Sequence, residues 1–381
     1  MVKGTAVLRE RNKRALLSNI RQLRETSRQE LVKLMNVSKN TVSLIVDDLI
    51  KEQIIMEQGV NEPDQKGRPR IRIAFHPEGY RAIGFTINQY EIQYQIINYY
   101  GDVLESHHVV TENLPAAEVV NQVDEIIERL LAKYAKIIGI GIAVPGIIDT
   151  NNLKVLTSIS MQWKDVSFKQ LARFSVPIHV QNSVNMGALD VMNRNKLIGG
   201  QGVFYVRIGN GVGGAYTFKG QLVHGASWTA GEIGHLSIDP SKEQCRCGQH
   251  GCLEMLVKHR TMKEQMLKLN EPIVSRSETL LFSKEQFENE AVQHIMKQAG
   301  EYLGKALVQV IHLINPEYIV IDSSYNRFSQ FISSCEQTIA SNALSSTLGA
   351  ASILFEEERS NLCRGAALFS IYHFEQAYDH L

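Results

Sequence analysis

From about residue 80 onwards, segments typical of β-strands alternate with segments typical of helices, and this alternation constrains the fold most. Three strand-like segments, AIGFTI, EIQYQIINYYGDVLES and HHVVT, precede the amphipathic helix AAEVVNQVDEIIERLLAKYA and the buried strand IIGIGIAV. A second meander, GVFYVRIGNGVGGAYTFKGQLVHG, is followed by long helices and the short strand YIVID. Two such halves in succession predict a two-lobed α/β body with a cleft between the lobes.

The first 75 residues follow another pattern, in which helices precede a hairpin. Ser27 stands three residues before Glu30, a capping box that starts a second helix after the helical segment KRALLSNIRQLRE. Ser38 caps a third helix, KNTVSLIVDDLIKEQ, and the strands IIMEQGV and PRIRIAF flank the polar turn NEPDQKG. This order predicts a winged helix-turn-helix domain over residues 1–77, with the α/β body over residues 78–381.

Charge separates these two regions. The chain as a whole is neutral, with 40 basic and 40 acidic residues, but residues 1–75 hold 15 Lys or Arg against 9 Asp or Glu, a net of +6. A basic head on an acidic body favours contact of the head with DNA, although a solvated basic surface or a protein-interaction module would share the pattern. The candidate DNA-binding residues are Lys39, Asn40, Thr41 and Ser43 on the third helix and Arg68 and Arg70 on the wing.

A short segment around residues 232–254 offers four metal ligands. His235, Cys245, Cys247 and Cys252 form the set that a closed tetrahedral Zn²⁺ site requires. No basic helix lies between them, so the sequence predicts a structural Zn²⁺ that holds a loop, wrapped tightly at two glycines, rather than a DNA-reading finger. Three buried free thiols are the alternative. The chain has five cysteines, three of them in this cluster, a pattern typical of thiolates in a reducing cytosol.

Two carboxylates, Glu232 and Glu254, bracket the predicted metal site. Carboxylates held by a rigid loop are good acceptors for the paired hydroxyls of a sugar, although ordinary surface glutamates would look the same in sequence. The loop GNGVGG is suited either to a phosphate or to a tight hairpin turn. The charged N-terminus lacks an apolar signal core, and no apolar run is long enough for a bilayer. A cytoplasmic protein is therefore expected.

These segments resemble the ROK family of repressors, open reading frames and sugar kinases. The resemblance rests on AGEIGH followed by CRCGQHGCLE, and on SKNTVS, GRPR, VPGIID, WKDV, GNGVGG and NPEYIVI. It implies an actin-like fold for the body, a homodimer on a palindromic operator, and sugar contacts through Asn182, Glu232, His235 and Glu254. With the helix-turn-helix head, the chain is most similar to the sugar-responsive repressor branch.

The chain departs from the kinase members of that family at the residues that carry catalysis. Ser183 follows Asn182 where the resemblance implies an aspartate general base, and loss of such a base lowers a rate by roughly 10²–10⁴-fold. The first phosphate loop is replaced by Thr86–Tyr90, and the adenosine-side glycines by Asp322, Ser323 and Ser324. Trp228 stands where the family usually has a small residue. Ser183 and the two lost nucleotide-binding segments predict a protein that is not an enzyme, whereas Trp228 would either fill part of the sugar cleft or stack on a ligand.

The sequence therefore predicts a cytoplasmic repressor of carbohydrate-utilisation genes that a small carbohydrate releases from operator DNA. The sugar would favour one arrangement of the lobes and so change the spacing of the two heads in a dimer. Two alternatives stay open. One is a sugar kinase with a DNA-binding head, and the other is a constitutive DNA-binding regulator whose cleft no longer binds a sugar.

Overall fold

The chain divides into two compact units in a computed structural model that describes residues 4–60, 71–112, 114–197, 202–276, 279–346, 349 and 351–376. The first unit comprises Met1–Met186 together with Leu362–Leu381, and the second comprises Gly187–Asn361. No helix among the described residues is both long enough and apolar enough to span a membrane.

The N-terminal region has three helices followed by a two-stranded antiparallel sheet. Ser27 and Glu30 form the predicted capping box, and Ser38 accepts a hydrogen bond from the amide of Thr41. Asn36, in the left-handed region with φ of 50°, ends the second helix and makes the intervening turn short. The elements are α1 (Gly4–Leu23), α2 (Arg28–Met35), α3 (Lys39–Lys51), β1 (Ile55–Val60) and β2 (Ile71–Phe75).

Apolar faces of the three helices form the core of this region, as their spacing predicts. The winged helix-turn-helix order is thereby confirmed, with β1 and β2 as the wing strands. The predicted turn of the wing, with Arg68 and Arg70 beside it, lies outside the described residues. Helix α1 begins at Gly4, well before the predicted start, because its first turns are too polar to show an apolar stripe. The fully buried side chains include Leu16, Leu17, Ile20, Leu31, Val42, Val46 and Leu49.

The rest of the first unit is built on a mixed sheet with the order β10-β6-β3-β4-β5. Strands β3, β4 and β5 form the predicted antiparallel meander, and β6 and β10 extend the sheet in parallel with β3. The segment predicted as one strand over residues 91–106 is broken by a turn at residues 99–102. The elements are β3 (Arg81–Ile87), β4 (Glu91–Asn98), β5 (Val103–Val110), α4 (Ala116–Lys133), β6 (Ile137–Val144), β7 (Ile147–Asp149), β8 (Lys154–Ser158), β9 (Trp163–Ser167), β10 (Ile178–Asn182) and α5 (Ser183–Arg194).

The second unit repeats this sheet plan, with the order β13-β12-β11-β16-β17. An antiparallel meander is again extended by two parallel strands, which confirms the predicted two halves. Helices α9 and α10 pack together over its apolar core. The elements are β11 (Val203–Ile208), β12 (Val212–Phe218), β13 (Gln221–Leu222), α6 (Leu253–Val257), α7 (His259–Lys268), β14 (Val274–Arg276), β15 (Thr279–Leu281), α8 (Lys284–Glu288), α9 (Glu290–Ile314), β16 (Tyr318–Asp322), α10 (Ser329–Asn342) and β17 (Ser352–Phe355).

The last helix, α11 (Leu362–Gln376), returns to the first unit and packs against β3 and β6. Its backbone lies so close to the sheet that a Cβ atom at Gly84 would stand 1.8 Å from the carbonyl oxygen of Cys363. At its other end the Glu375 carboxylate accepts two hydrogen bonds from Arg21, at 2.8 and 2.7 Å, in a buried ion pair. Helix α11 therefore joins helix α1 to the sheet of the first unit.

Candidate metal centre and ligand-binding residues

The structure brings the four predicted metal ligands together. One ligand atom from each of His235, Cys245, Cys247 and Cys252 lies within 4.8 Å of all the others. The Cys245 sulfur is 3.6 Å from His235 Nδ1, and the sulfurs of Cys247 and Cys252 are 3.5 Å apart. Ligand atoms of a tetrahedral Zn²⁺ site stand roughly 3.5–3.8 Å apart. The donor set and its spacing therefore fit a four-coordinate Zn²⁺ that leaves no position open for water.

The loop that carries these ligands depends on residues able to adopt positive φ. Gly248 (φ 95°) follows Cys247 in a turn closed by its amide bonding the carbonyl of Cys245 at 2.9 Å. Gly251 (φ 59°) has no room for a side chain, because a Cβ there would meet the carbonyl oxygen of Asp239 at 1.7 Å. The two glycines singled out in the sequence are thus required by the path of the loop.

Short regular segments fix the two ends of the cluster. His235 closes the 3₁₀ turn Ile233–His235, and Cys252 is the N-cap residue of α6. The amide of Leu253 bonds the carbonyl of Leu236 at 2.9 Å and ties the two segments together. The histidine and the last cysteine are therefore held by backbone geometry, whereas the middle cysteines sit on the glycine turn.

Glu254, on the first turn of α6, is buried and held at its carboxylate. One of its oxygens accepts a hydrogen bond from the amide of Val212 at 3.3 Å, and the other lies 3.6 Å from the guanidinium of Arg246. Glu232 is more exposed, yet partial desolvation and, to a smaller extent, the Glu254 carboxylate raise the pKa of Glu232. Two carboxylates and the metal-site histidine therefore share this region of the second unit.

The glycine-rich segment GNGVGG is the tight turn between β11 and β12. The Gly209 amide bonds the Gly211 carbonyl at 2.8 Å, and Gly211 lies directly beside the Glu254 carboxylate. Of the two functions open to this segment from sequence, the structure shows the hairpin turn.

Asn182, the fourth predicted sugar-binding residue, lies in the first unit at the end of β10. Its side-chain amide donates to the carbonyl of Gly146 and accepts from the amide of Val184, both at 2.6 Å. One N–H and the carbonyl oxygen of this amide are therefore engaged within its own unit. Glu232, His235 and Glu254 are brought together in the second unit; Asn182 belongs to the first.

The segments that depart from the kinase pattern have clear structural functions. Asn88 closes the turn between β3 and β4 by accepting hydrogen bonds from the amides of Tyr90 and Glu91, at 2.8 and 3.1 Å. In the second unit Asp322, fully buried at the end of β16, pairs with Arg207 at 2.7 Å and Arg359 at 2.8 Å. Although burial disfavours its charge, the guanidinium groups of Arg359 and Arg207 hold the pKa of Asp322 below its usual range. A buried ion cluster thus occupies the end of this strand.

The four predicted DNA-binding residues of α3 all lie on its first two turns. Lys39 and Asn40 are exposed, whereas Thr41 and Ser43 are partly buried, and the Thr41 hydroxyl lies 2.8 Å from that of Ser38. The sequence interpretation missed Leu44, one turn after Asn40, whose side chain is 64% exposed. An apolar residue outside the buried stripe of the helix was the signal that could have identified it.

This chain combines the fold of an actin-like α/β protein with a winged helix-turn-helix and a Cys₃His loop. A sequence model of the ROK family matches residues 82–370, and the chain belongs to the ROK family. The xylose repressor of Bacillus spizizenii is 27% identical over 319 residues, covering 82% of each chain.

Two solved structures show the same fold. A ROK family transcriptional regulator, described as a homolog of the Escherichia coli Mlc protein, superposes with a TM-score of 0.79 at 21% identity over 98% of both chains. A ROK glucokinase from Streptomyces griseus, in complex with glucose and AMPPNP, gives a TM-score of 0.61 at 18% identity. It covers 76% of this chain and 98% of its own. The predicted fold class is therefore confirmed.

Proposed function

We propose that this protein is a sequence-specific transcriptional repressor of carbohydrate-utilisation genes, released from its operator by a small sugar. The observation that carries the proposal is the capped helix-turn-helix on the same chain as a ROK body. The Bacillus spizizenii repressor shares this body over most of its length. Residues 1–77 are the DNA-binding domain in this proposal, and residues 78–381 bind the effector and form a homodimer.

Operator recognition is assigned to the start of α3. Lys39 and Asn40 are exposed on its first turn, where a recognition helix meets base edges in the major groove. Leu44 adds an apolar contact of the kind that fits a thymine methyl group. Arg68 and Arg70 stay predictions for phosphate or minor-groove contact, and a homodimer makes a palindromic operator the expected target.

Sugar binding is assigned to Glu232, His235 and Glu254. A histidine that ligates a metal through Nδ1 presents Nε2–H as a hydrogen-bond donor, so His235 can serve the metal and a sugar hydroxyl together. Two carboxylates nearby supply acceptors. The contact predicted for Asn182 stays a prediction. For release, the sugar must bind the operator-free conformation more tightly than the operator-bound one.

We assign no catalytic residues. Ser183 is a weak proton acceptor, and it occupies the position of the general base in the kinases that this chain resembles. The chain would also fail to position a nucleotide. A tight turn closed by Asn88 takes the place of the first phosphate loop. The end of the strand at Asp322 is filled by the buried ion cluster. We therefore expect no sugar phosphorylation, even after Ser183→Asp.

The metal in this proposal is structural Zn²⁺. His235, Cys245, Cys247 and Cys252 would hold it and so fix the loop that carries Glu254 at one end and Glu232 at the other. The ion would hold the sugar-binding residues in their positions relative to one another. Proton transfer or substrate activation at the ion has no place here, because the four protein ligands complete its coordination.

The test measures operator binding by fluorescence anisotropy with DNA upstream of carbohydrate-utilisation genes, against random DNA, with and without pentoses, hexoses and amino sugars. We expect specific binding that one sugar class reverses, and loss of binding in Lys39→Ala without loss of fold. Sugar-dependent formation of ADP by the wild type would contradict the repressor-only assignment. Equal affinity for operator and random DNA would contradict specific repression, and specific binding that no sugar reverses would support a constitutive regulator.

A further inference from the structure

Of the five cysteines in the chain, all of which the structure describes, Cys247 alone is exposed. The other two sulfur ligands of the metal cluster, Cys245 and Cys252, are only 3% and 0% exposed. Open space also lies beside the Cys247 turn, because a Cβ atom at Gly248 would meet no heavy atom of the described residues within 4 Å. A small oxidant in solution can therefore reach the Cys247 sulfur directly, whereas the two buried sulfurs are shielded from it.

The Cys252 sulfur stands within reach of an oxidised Cys247. The two sulfurs are 3.5 Å apart, so a disulfide bond of about 2.05 Å requires an approach of roughly 1.5 Å. Cys252 itself is fixed, since it is the N-cap residue of α6 and the next amide, of Leu253, bonds the carbonyl of Leu236 at 2.9 Å. The Cys247 side therefore makes the approach, on a turn that has open space at Gly248.

Metal binding keeps these sulfurs in their reactive form. A thiol must lose its proton to ligate Zn²⁺, and the thiolate is also the form that attacks a peroxide. Oxidation of an accessible thiolate gives a sulfenic acid, which condenses with a second thiol to form a disulfide. The cluster supplies both partners, because Cys247 is accessible and Cys252 is shielded and adjacent.

We propose that Cys247 is an oxidation site for peroxides and that Cys252 is its resolving thiol, so that oxidation ejects the structural Zn²⁺. The Cys247 thiolate attacks one oxygen of hydrogen peroxide, the O–O bond breaks, and the products are a Cys247 sulfenic acid and hydroxide. The Cys252 thiolate then attacks the Cys247 sulfur, and the S–S bond forms as the S–O bond breaks and a second hydroxide leaves. Two protons from the solvent convert the hydroxides to water. The two sulfurs lose the two electrons that reduce the peroxide.

The disulfide leaves the metal with too few ligands. Only His235 and Cys245 remain, whereas a closed structural Zn²⁺ site uses four protein ligands. The ion therefore dissociates, and cellular thiols restore the site by disulfide exchange once the peroxide is gone. This oxidation depends on the proposed metal site. Its effect on regulation depends on the proposed repressor function as well: the oxidised protein keeps its operator but no longer responds to sugar.

The test treats the full-length, zinc-loaded protein with an equimolar amount of hydrogen peroxide, in the absence of DNA and sugar. The intact mass should fall by the mass of H₂, a metal indicator should register released zinc, and non-reducing peptide mapping should find Cys247 joined to Cys252. A dithiol reductant and Zn²⁺ should restore the starting protein. Survival of the zinc and of all the thiols in excess peroxide would overturn the proposal, as would a disulfide between any other pair of cysteines.

Cys247→His removes the oxidisable sulfur and keeps a nitrogen ligand that Zn²⁺ accepts. This variant should retain its zinc through the treatment that empties the wild type. Cys335→Ala, at a buried cysteine of α10 outside the cluster, is the matched control and should lose its zinc as the wild type does. Loss of zinc from Cys247→His as fast as from the wild type would show that another group is oxidised.

Cys252→Ser tests the first step by itself and needs no bound metal. Without the resolving thiol, a 1,3-dione should trap the sulfenic acid on Cys247, and a trapped sulfenic acid on Cys245 instead would overturn the assignment. Wild-type protein purified without chelators and yet free of zinc would overturn the ejection of the ion. Oxidised, zinc-free protein that sugar still releases from DNA would contradict only the role proposed for zinc in the sugar response, and would leave the oxidation site in place.

Discussion

The helix-turn-helix segment at residues 27–51 and the metal loop at residues 232–254 have similar lengths but are held in different ways. The first segment has two capped helices, and its apolar stripe is buried against α1. The described backbone between Ser237 and Gly251 has neither helix nor strand, only isolated bridges. The helices follow from their own sequence, whereas in our proposal the loop is held by a Zn²⁺ ion at its four clustered side chains. The two should respond differently to the same treatments.

Metal removal should give the largest difference between the two segments, because it should affect the metal loop and leave the helix-turn-helix intact. Chelation, or Cys252→Ser, removes a binding free energy on the order of 10 kcal/mol for a closed Cys₃His site. We expect loss of the sugar response while operator DNA is still bound. Elemental analysis for zinc, with anisotropy on the chelated protein, checks this. Protein purified without chelators that contains no metal, yet responds to sugar, would contradict it.

Shortening a buried side chain in the core of the head should instead weaken operator binding and leave the metal loop intact. Leu49 is fully buried, so Leu49→Ala should destabilise the helix-turn-helix by about 2–5 kcal/mol. Operator binding should fall while zinc content stays at one ion per chain. Leu23→Ala is the matched control, because the exposed Leu23 side chain at the end of α1 is not part of this core and has no proposed contact with DNA. A loss of zinc in Leu49→Ala would show that the two segments are not independent.

Glu254→Gln tests the chemistry that the loop presents. The variant keeps the size of the side chain but removes its charge, and hydrogen bonds to charged groups contribute about 1.5–3 kcal/mol. The sugar concentration for half-release should rise by about tenfold or more, with operator affinity in sugar-free buffer unchanged. Glu288→Gln, an exposed glutamate of α8, should behave like the wild type. Release at the wild-type sugar concentration would place the sugar elsewhere.

Ser27→Ala should have the smallest effect and act on the head alone. It removes the cap of α2 and half of the reciprocal bonding with Glu30, at a cost of about 1 kcal/mol. A lower midpoint for head unfolding, followed by urea titration, is the expected result. Ser18→Ala, on α1, is the control, since the Ser18 hydroxyl makes no hydrogen bond among the described residues. Equal midpoints for the two variants would show that the cap is not needed.

The predictable parts of the fold are those that depend on residues close together in the sequence. Ser27, Glu30 and Ser38 start the helices of the head because capping acts within one turn of chain. The clustering of His235 with the three cysteines was predictable because these residues lie close in sequence and form a set typical of a structural Zn²⁺ site. The sheet order of the two halves could not be predicted from residue patterns alone, since pairing between distant strands leaves no local trace.

Apart from Leu44, the features that were missed depend on distant contacts. The buried cluster of Asp322 joins residues from three separate segments, including Arg207 and Arg359, and none of them is unusual by itself. The return of α11 to the first unit required the contacts of Gly84 with Cys363. The fixed amide of Asn182 also depends on Gly146, far from it in sequence.

The place of α11 in the chain has a consequence for biosynthesis. The sheet that it covers, and the α1 helix that it holds through Arg21 and Glu375, leave the ribosome before the whole of Gly187–Asn361 is made. Until α11 emerges, the face of β3 and β6 at Gly84 and Gly141 lacks the helix that covers it. The first unit therefore cannot complete its folding until the whole of the second has been synthesised, and a chain that ends before α11 would leave this sheet uncovered.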